Sequence, residues 1–278
     1  MPSIKLSEKE IKEFCERFKE YEVAPTNEFM EHFFKLKGAS VSIFKSGKCV
    51  FQGSSLDIFS DYIDIKKSDI EYDDFDTIGM DEVGTGDLFG PIVTCALLVR
   101  CEDVFKLKEK GIKDSKTISD STILKLGKYL ISNFKFKTSI VRNEIYNDHY
   151  NEYNMNSMKA KLHNQNLKLL SKEVNFEYVC LDEFCSKDKY FEYLGEDAFK
   201  DIHFEMKGES KSIACAASSI VARYYLLLEF ERLKKLYGYD LPKGSGDASN
   251  KMLQKIKDDN KEDILYHIAK LNFKNINK

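Results

Sequence analysis

Apolar residues near the N-terminus recur first at helical spacing and then in short β-prone runs. Ser7 and Glu10 have the spacing of a capping box, and the periodic segment after them predicts an amphipathic helix that ends before Pro25. Residues 39–45 and 48–52 flank a Ser-Gly turn, which predicts a β-hairpin. The apolar positions of the predicted helix are Ile11, Phe14, Phe18 and Tyr21.

An acid-rich stretch from 68 to 76 lacks the periodicity of a helix or a strand. A short helix is predicted just before it, over 56–63. Because the composition changes here, we interpret the stretch as a linker between a small and a large domain. The predicted organisation is an N-terminal domain over 1–68, an acidic linker over 69–77 and a large domain over 78–278.

The large domain alternates apolar strand patterns with helical ones, which predicts a mixed α/β architecture with helices on both faces of a sheet. The last long helix begins near Ser212 and carries small residues such as Ala214 and Ala217 on one face, which permits close packing on the sheet. Strands are predicted near 78–83, 91–100, 135–141, 178–182 and 202–206, and further helices near 119–133 and 145–173.

Two adjacent carboxylates end the first strand of the large domain. Asp81 and Glu82 come just before the glycine-rich turn 84–86. Burying an unpaired carboxylate is costly, so at least one of them must face water, a cation or a polar site. The glycines resemble part of a dinucleotide-binding fingerprint, but their spacing differs and residues 92–99 predict a buried strand instead of a helix. A nucleotide-cofactor site is therefore disfavoured.

Two further acids stand at the ends of predicted elements. Asp182 ends a buried strand and Glu209 precedes a long helix, although acids also favour helix starts for structural reasons alone. If the two acidic strands are neighbours, four carboxylates share one cleft, and divalent cations must neutralise their charge. Two Mg²⁺ ions would suit phosphodiester hydrolysis. The pattern favours a metal-dependent nuclease and leaves open whether the strands are neighbours.

The composition is that of an ordinary globular chain. Its 278 residues are 42% hydrophobic and 32% charged, which suits a large domain with a small one and argues against overall disorder. The 7 cysteines include no C-x-x-C pair and no zinc-ligand spacing, so reduced thiols in a cytoplasmic protein are expected. No apolar run approaches membrane-spanning length, and we expect a soluble protein without a membrane partner.

The charge distribution restricts the kind of nucleic-acid contact. The net charge of −3 excludes a globally basic nucleic-acid binder and leaves local patches. Residues 33–56 hold lysines and no acid, and the segment after Lys234 is also net positive. From charge alone, lysines that solvate an exposed surface are the favoured explanation of either stretch. The lysines of the first patch are Lys35, Lys37, Lys45 and Lys48.

Six motifs occur in the order and spacing typical of one family, and together they resemble bacterial ribonuclease HIII. Residues 46–53 also resemble the end of that family's small substrate-binding domain, so the resemblance spans almost the whole chain. The motifs are DEVGTGDLFGPIV from Asp81, Asp114-Ser115-Lys116, Met155-Asn156-x-x-Lys159-Ala160-x-Leu162-His163-Asn164-Gln165, Leu181-Asp182-Glu183-Phe184, Lys207-Gly208-Glu209-Ser210 and Leu241-Pro242-Lys243-Gly244.

The resemblance implies a ribonuclease H-like mixed sheet flanked by helices, preceded by a small α+β domain that folds like the TATA-box-binding protein. It implies an endonuclease that cleaves the RNA strand of RNA–DNA hybrids with two Mg²⁺ or Mn²⁺ ions, leaving 5′-phosphate and 3′-hydroxyl ends. Carried over by position, the catalytic and metal-binding residues are Asp81, Glu82, Asp182 and Glu209, and the substrate-binding residues are Gly84, Thr85, Gly86, Lys116 and Lys207.

Two other functions stay open from the sequence. One is cleavage of the ribonuclease HII type at single ribonucleotides in duplex DNA, although that family typically has Arg and Asp where this chain has Thr85 and Glu209. The other is a non-catalytic hybrid-binding protein, against which the intact acidic quartet argues. His163 fits helix packing better than catalysis. A monomer is expected for a nuclease that wraps one duplex.

Overall fold

A computed structural model describes residues 3–53, 59, 72–113 and 115–276 of the chain. The chain divides into two units at residue 70, and each unit has a sheet and a core of its own. Most of the helix predicted over 56–63 lies outside the described residues, as does Asp114 of the Asp-Ser-Lys motif.

In the described residues of the N-terminal unit, an α-helix packs on a five-stranded antiparallel sheet. Ser7 caps this helix as predicted, because its side chain accepts a hydrogen bond from the Glu10 amide while its own amide donates to the Glu10 carboxylate at 2.8 Å. Aromatic side chains fill the core between helix and sheet, and Phe14 and Phe34 are fully buried. The elements are β1 (Ser3–Lys5), α1 (Glu8–Arg17), β2 (Glu22–Val23), β3 (Met30–Leu36), β4 (Ala39–Phe44) and β5 (Lys48–Gly53), with sheet order β1-β5-β4-β3-β2.

Strands β4 and β5 confirm the predicted hairpin, with Gly47 at positive φ in the turn between them. The predicted length of the first helix was wrong: α1 ends at Arg17, and Tyr21 lies in a short 3₁₀ turn with 38% of its surface exposed. Strands β1 to β3 were not predicted. Their apolar alternation is irregular, and β3 contains a bulge between Met30 and His32.

The large unit is built on a mixed five-stranded sheet, as predicted. Strand β7 is antiparallel to both of its neighbours, β6 and β8, whereas β9 runs parallel to β6 and β10 runs parallel to β9. Each predicted strand of this unit is present, with its ends within about two residues of the prediction. The strands are β6 (Thr77–Val83), β7 (Ile92–Val99), β8 (Phe136–Val141), β9 (Tyr178–Asp182) and β10 (His203–Glu205), in the order β10-β9-β6-β7-β8.

Helices cover both faces of this sheet. The longest, α8, packs with α2 and α3 on one face, while α5 and α6 pack on the other. The helical region predicted over 145–173 consists of two helices, because Asn154 caps a new start. The helices are α2 (Val104–Glu109), α3 (Asp120–Asn133), α4 (Asn143–His149), α5 (Met155–Ser171), α6 (Lys187–Leu194), α7 (Gly208–Lys211), α8 (Ile213–Tyr237), α9 (Asp247–Asp258) and α10 (Leu265–Ile268).

Helix α8 approaches strand β6 very closely at Gly79. A Cβ atom built on Gly79 would lie 2.0 Å from the carbonyl carbon of Ala214, so only glycine permits this distance between helix and strand. The small residues predicted on this face, among them Ala214 and Ala217, are buried there. The approach brings the start of α8 next to the acidic end of β6.

The length of helix α8 contradicts the prediction that no apolar run approaches membrane-spanning length. Among the described residues it is one helix that is long and apolar enough to cross a membrane by length and composition, contrary to the expectation that no run approaches that length. In the fold, 67% of its apolar window is buried. Its apolar surface is therefore explained by its position in the core between the sheet and α3.

Part of the predicted linker packs into the large unit. Tyr72 is 1% exposed, and its hydroxyl donates to the Glu205 carboxylate at 2.7 Å. The carboxylate of Asp73 accepts a hydrogen bond from the amide of Ile213 at the start of α8, at 2.8 Å. The segment that enters β6 is thus attached to β10 and to α8.

Candidate active site

Sheet topology brings the predicted acids to one edge of the sheet. Strands β6 and β9 are parallel neighbours, with Met80 opposite Leu181. Because parallel strands end at the same edge, Asp81 and Asp182 lie next to each other, and Glu82 follows directly. Glu209 lies in the short helix α7, which follows β10. The structure therefore establishes that the two acidic strands are neighbours.

Asp81 faces α8. Its side chain is hydrogen-bonded to Ser219 on that helix and is 6% exposed. The Ser219 hydroxyl is in turn 2.8 Å from the hydroxyl of Ser115. Burial raises the pKa of Asp81 well above its ordinary value, and the negative charges of Glu82 and Asp182 raise it further. The surroundings of Asp81 therefore destabilise its ionised form.

Glu82 points to the opposite face of the sheet, toward α5. It accepts hydrogen bonds from the Lys159 ammonium and from His163 Nε2, each at 2.9 Å. Burial raises the pKa of Glu82, but the hydrogen bonds and charges of these two partners outweigh burial and hold it below the ordinary value. A carboxylate only accepts hydrogen bonds, so the proton of this contact is on Nε2.

Lys159 and His163 were not predicted as site residues. Both are buried, and the ring of Phe184 packs against both, 4.0 Å from the Lys159 ammonium and 5.7 Å from the His163 ring centroid. Their spacing of four residues places them on one face of α5. That spacing and their place in the motif at 155–165 were the available signals, but the spacing also fits ordinary helix packing.

Asp182 and Glu209 form the other side of the site. The Gly208 amide donates to Asp182 at 2.7 Å, and Lys207, with a φ of 57°, adopts the left-handed conformation that turns this amide toward the carboxylate. Burial raises the pKa of Asp182 to about 6, and the charges of Glu209 and Glu82 add to the shift. Glu209 Oε1 lies 3.7 Å from the Lys116 ammonium, and its buried Oε2 has no hydrogen-bond partner in the described structure.

The predicted residues line a cleft of about 390 Å³, with two exceptions. Glu209 adjoins Asp182 but lines a neighbouring cavity, and Lys207 is exposed and does not line the cleft. Two cations that were not predicted, Arg223 and Lys243, contribute to the wall, and both bind Asp120 at the start of α3. The cleft lining shared with the prediction comprises Asp81, Glu82, Asp182, Gly84, Thr85, Gly86 and Lys116.

The turn 84–86 requires glycine at its first position and is open at its last. Gly84 has a φ of +86°, and a Cβ there would lie 2.2 Å from the carbonyl oxygen of Pro91. A Cβ on Gly86 would meet no atom within 4 Å, and this residue is exposed. The backbone at Gly86 is therefore accessible to a large ligand in the cleft.

The donor chemistry of the site fits a hard divalent cation. In the described part of the chain, no three His, Cys, Asp or Glu side chains are already arranged around one point to hold a metal. Glu82 and Asp182 are hydrogen-bonded to protein donors. However, the four acids offer only oxygen ligands, repel one another and leave Glu209 Oε2 unpartnered. Carboxylate oxygens of this kind are the ligands that Mg²⁺ and Mn²⁺ prefer.

A ribonuclease H-like sheet with this acidic edge defines the class of the large unit. The family profile described as Ribonuclease HII matches residues 78–276, and the profile described as Domain of unknown function (DUF3378) matches residues 3–64. Full-length relatives narrow the assignment further. The chain is 33% identical to ribonuclease HIII of Lactococcus lactis subsp. lactis over 99% of this chain and 96% of the relative, and it belongs to the ribonuclease HIII family of ribonuclease H enzymes.

Other relatives and solved structures agree with this assignment. Ribonuclease HIII of Streptococcus pneumoniae strain P1031 is 34% identical over 100% of this chain and 99% of the relative. The crystal structure of Bst-RNase HIII in complex with Mn²⁺ matches with a TM-score of 0.72 and 29% identity, covering 99% of this chain and 96% of that chain. Aquifex aeolicus RNase H3 has the same fold, with a TM-score of 0.61 at 23% identity over 98% and 99% of the two chains.

Proposed function

We propose that this enzyme cleaves the RNA strand of RNA–DNA hybrids endonucleolytically with Mg²⁺ or Mn²⁺, leaving 5′-phosphate and 3′-hydroxyl ends. The observation that carries the proposal is the convergence of Asp81, Glu82 and Asp182 in one cleft, with Glu209 beside them and the glycine turn at the rim. The Mn²⁺ complex of Bst-RNase HIII supports the use of a divalent metal.

The four acids are the residues that would hold the metal. Two divalent ions at such a site supply an activated water and stabilise the leaving oxygen of the phosphodiester. Asp81 and Asp182, whose ionised forms are disfavoured by burial, provide strong ligands once a cation compensates their charge. Lys159 and His163 keep Glu82 ionised and oriented at the end of β6.

The glycine turn and nearby cations contact the nucleic acid in this proposal. Exposed backbone at Gly86 can lie against a sugar and recognise its 2′-hydroxyl, which distinguishes RNA from DNA. Lys116, with 76% of its side chain exposed, carries a positive charge at the cleft for a phosphate. Lys207 lies on the surface outside the cleft lining, and we assign it a phosphate further along the strand.

The test compares an end-labelled RNA–DNA hybrid with a DNA duplex that carries one ribonucleotide, each with Mg²⁺ and with Mn²⁺. We expect cleavage of the hybrid at several sites and little cleavage of the duplex. Product ends are identified by phosphatase and ligase sensitivity, which distinguishes 5′-phosphate from 5′-hydroxyl ends. Efficient cutting at the single ribonucleotide would favour the ribonuclease HII type of activity, and hybrid binding without cleavage would favour a non-catalytic role.

We also propose that the N-terminal unit binds the hybrid through its lysine patch. The four lysines of the patch are exposed on or between strands β3, β4 and β5. Replacing all four by Gln removes up to four phosphate contacts, so the slope of log affinity against log salt should fall by about 3 to 4. We expect a higher KM for the hybrid and an unchanged kcat. The variant is Lys35→Gln, Lys37→Gln, Lys45→Gln and Lys48→Gln.

The matched control for the lysine patch removes charge from the helix of the same unit. Lys9, Lys12 and Lys19 are exposed on or just after α1, away from the hairpin strands in sequence. Gln at these three positions should leave the salt dependence nearly unchanged. Equal effects of the two variants would mean that overall charge, and not the patch, governs affinity.

We also propose that the enzyme is cytoplasmic and monomeric. Cell fractionation tests the localisation, and light scattering tests the oligomeric state.

A further inference from the structure

Lys270 is a fully buried lysine in the C-terminal segment. Its ammonium donates hydrogen bonds to the backbone oxygens of Asp87 at 2.8 Å and Gly90 at 2.7 Å. Burial lowers the pKa of Lys270 to about 7, although the Asp87 carboxylate opposes the shift. An apolar side chain would fill the same volume without this desolvation cost, so packing alone does not explain a lysine here.

The two acceptors of Lys270 belong to the segment that leaves the glycine turn. Asp87 directly follows the turn 84–86, and its amide donates to the Gly84 oxygen at 3.3 Å. The same segment is attached to the C-terminal part of the chain by backbone hydrogen bonds. These join Lys270 N to Leu88 O at 2.9 Å, Gly90 N to Ile268 O at 2.9 Å and Leu88 N to Gly244 O at 3.0 Å.

We propose that Lys270 is a positioning residue that holds the glycine turn in the shape that binds the RNA strand. The turn is anchored by β6 on its incoming side, and Lys270 fixes the outgoing side by holding two carbonyls of residues 87–90 at once. This inference rests on the proposed function, because it assumes that the turn contacts the substrate. Lys270 itself is buried and does not touch substrate.

The two ends of this contact are not equally dependent on Lys270. The Gly90 oxygen also accepts a hydrogen bond from the Asn143 side chain, at 3.1 Å. The Asp87 oxygen lies nearer the turn in a part-buried position, and loss of the ammonium removes this hydrogen bond from it. Removing the ammonium should therefore perturb the part of the segment closest to the cleft, while Asn143 retains the far end.

The experiment compares Lys270→Met with Lys274→Met in the full-length protein. Lys274 is exposed four residues later, so its replacement removes a lysine from the same segment without removing a buried hydrogen-bond donor. We expect Lys270→Met to raise KM for the hybrid by about tenfold, the effect of one lost buried hydrogen bond, with kcat within about threefold of wild type. Lys274→Met should leave both constants unchanged. Amide hydrogen exchange at 84–88 should accelerate in Lys270→Met alone.

Three kinetic results would overturn the inference: an unchanged KM in folded Lys270→Met, a fall in kcat at constant KM, or equal effects of the two variants. If Lys270→Met does not fold, Lys270→Gln replaces it, because the Gln side-chain amide retains two N–H donors. We expect Lys270→Gln to raise KM by less than tenfold. Amide exchange slower than that of an unfolded chain verifies that this variant is folded. Wild-type cleavage of the hybrid tests the proposed function separately. If wild type does not cleave, unaltered exchange at 84–88 in the variant still refutes the positioning role.

Discussion

Asp81→Asn should lower kcat for hybrid cleavage by about 1,000-fold or more and at the same time increase the free energy of unfolding. The catalytic loss follows from removing a charged group that we propose as a metal ligand, an interaction worth several kcal/mol in the transition state. The gain in stability follows from burial, which raises the pKa of Asp81 and makes its ionised form costly in the folded protein. An asparagine keeps the shape and can still bond with Ser219.

The pH dependence of stability checks the second half of this prediction. A carboxyl group whose pKa is raised on folding destabilises the protein in full above its folded-state pKa. The penalty shrinks as the pH falls and disappears below the unfolded-state pKa, near 4. Without divalent ions, Asp81→Asn should therefore exceed wild type in Tm at pH 7, and the gap should close as the pH falls toward 4. Asp201→Asn, an exposed acid of the same unit, serves as control. Full activity in Asp81→Asn would refute the metal assignment.

Lys159→Met should destabilise the protein by about 3 kcal/mol, because it leaves Glu82 as a largely buried charge with one partner fewer. For a unit of this size, the loss corresponds to a fall in Tm of about 6 to 12 °C. Lys161→Met, an exposed neighbour on the same helix, should change Tm little. Cleavage should also weaken in Lys159→Met, since the orientation of Glu82 depends on this contact.

A double-mutant cycle distinguishes the charge pair from simple packing. Glu82→Gln with Lys159→Met removes both charges, so the double variant should be more stable than the sum of the single losses predicts. A coupling energy of at least about 1 kcal/mol, measured by thermal or urea unfolding, is the expected result. Strictly additive losses would show that Lys159 contributes through the cation–π contact of its ammonium with Phe184 instead of through Glu82.

The sheet of the large unit could be predicted from sequence because its strands are short apolar runs with clear ends. The pairing of β6 with β9 could not, since it joins segments about 100 residues apart and no local pattern specifies it. The resemblance to a known family supplied the acidic quartet in advance. The structure then showed that Asp81 and Glu82 point to opposite faces, each with partners of its own.

Charged residues with buried partners were the hardest to predict. Buried partners were not predicted for Lys159 or Lys270, because the sequence does not reveal which acceptor a lysine reaches. The break between the two helices at Asn154 could have been predicted from sequence, since Asn is a common helix cap. In the structure, the Ser157 amide donates to the Asn154 side chain at 2.9 Å. Strand β3 was missed because its alternation is interrupted by a bulge.

The opposite orientation of the two adjacent acids makes the active site sensitive to both hydrophobic layers of the large unit. Ser219 on α8 sets the position of Asp81, and Lys159 and His163 on α5 set the position of Glu82, so the spacing of these two carboxylates depends on how each helix seats on the sheet. A core substitution under either helix shifts one acid relative to the other. Looser packing in either layer should therefore lower the affinity for the metal before the protein unfolds.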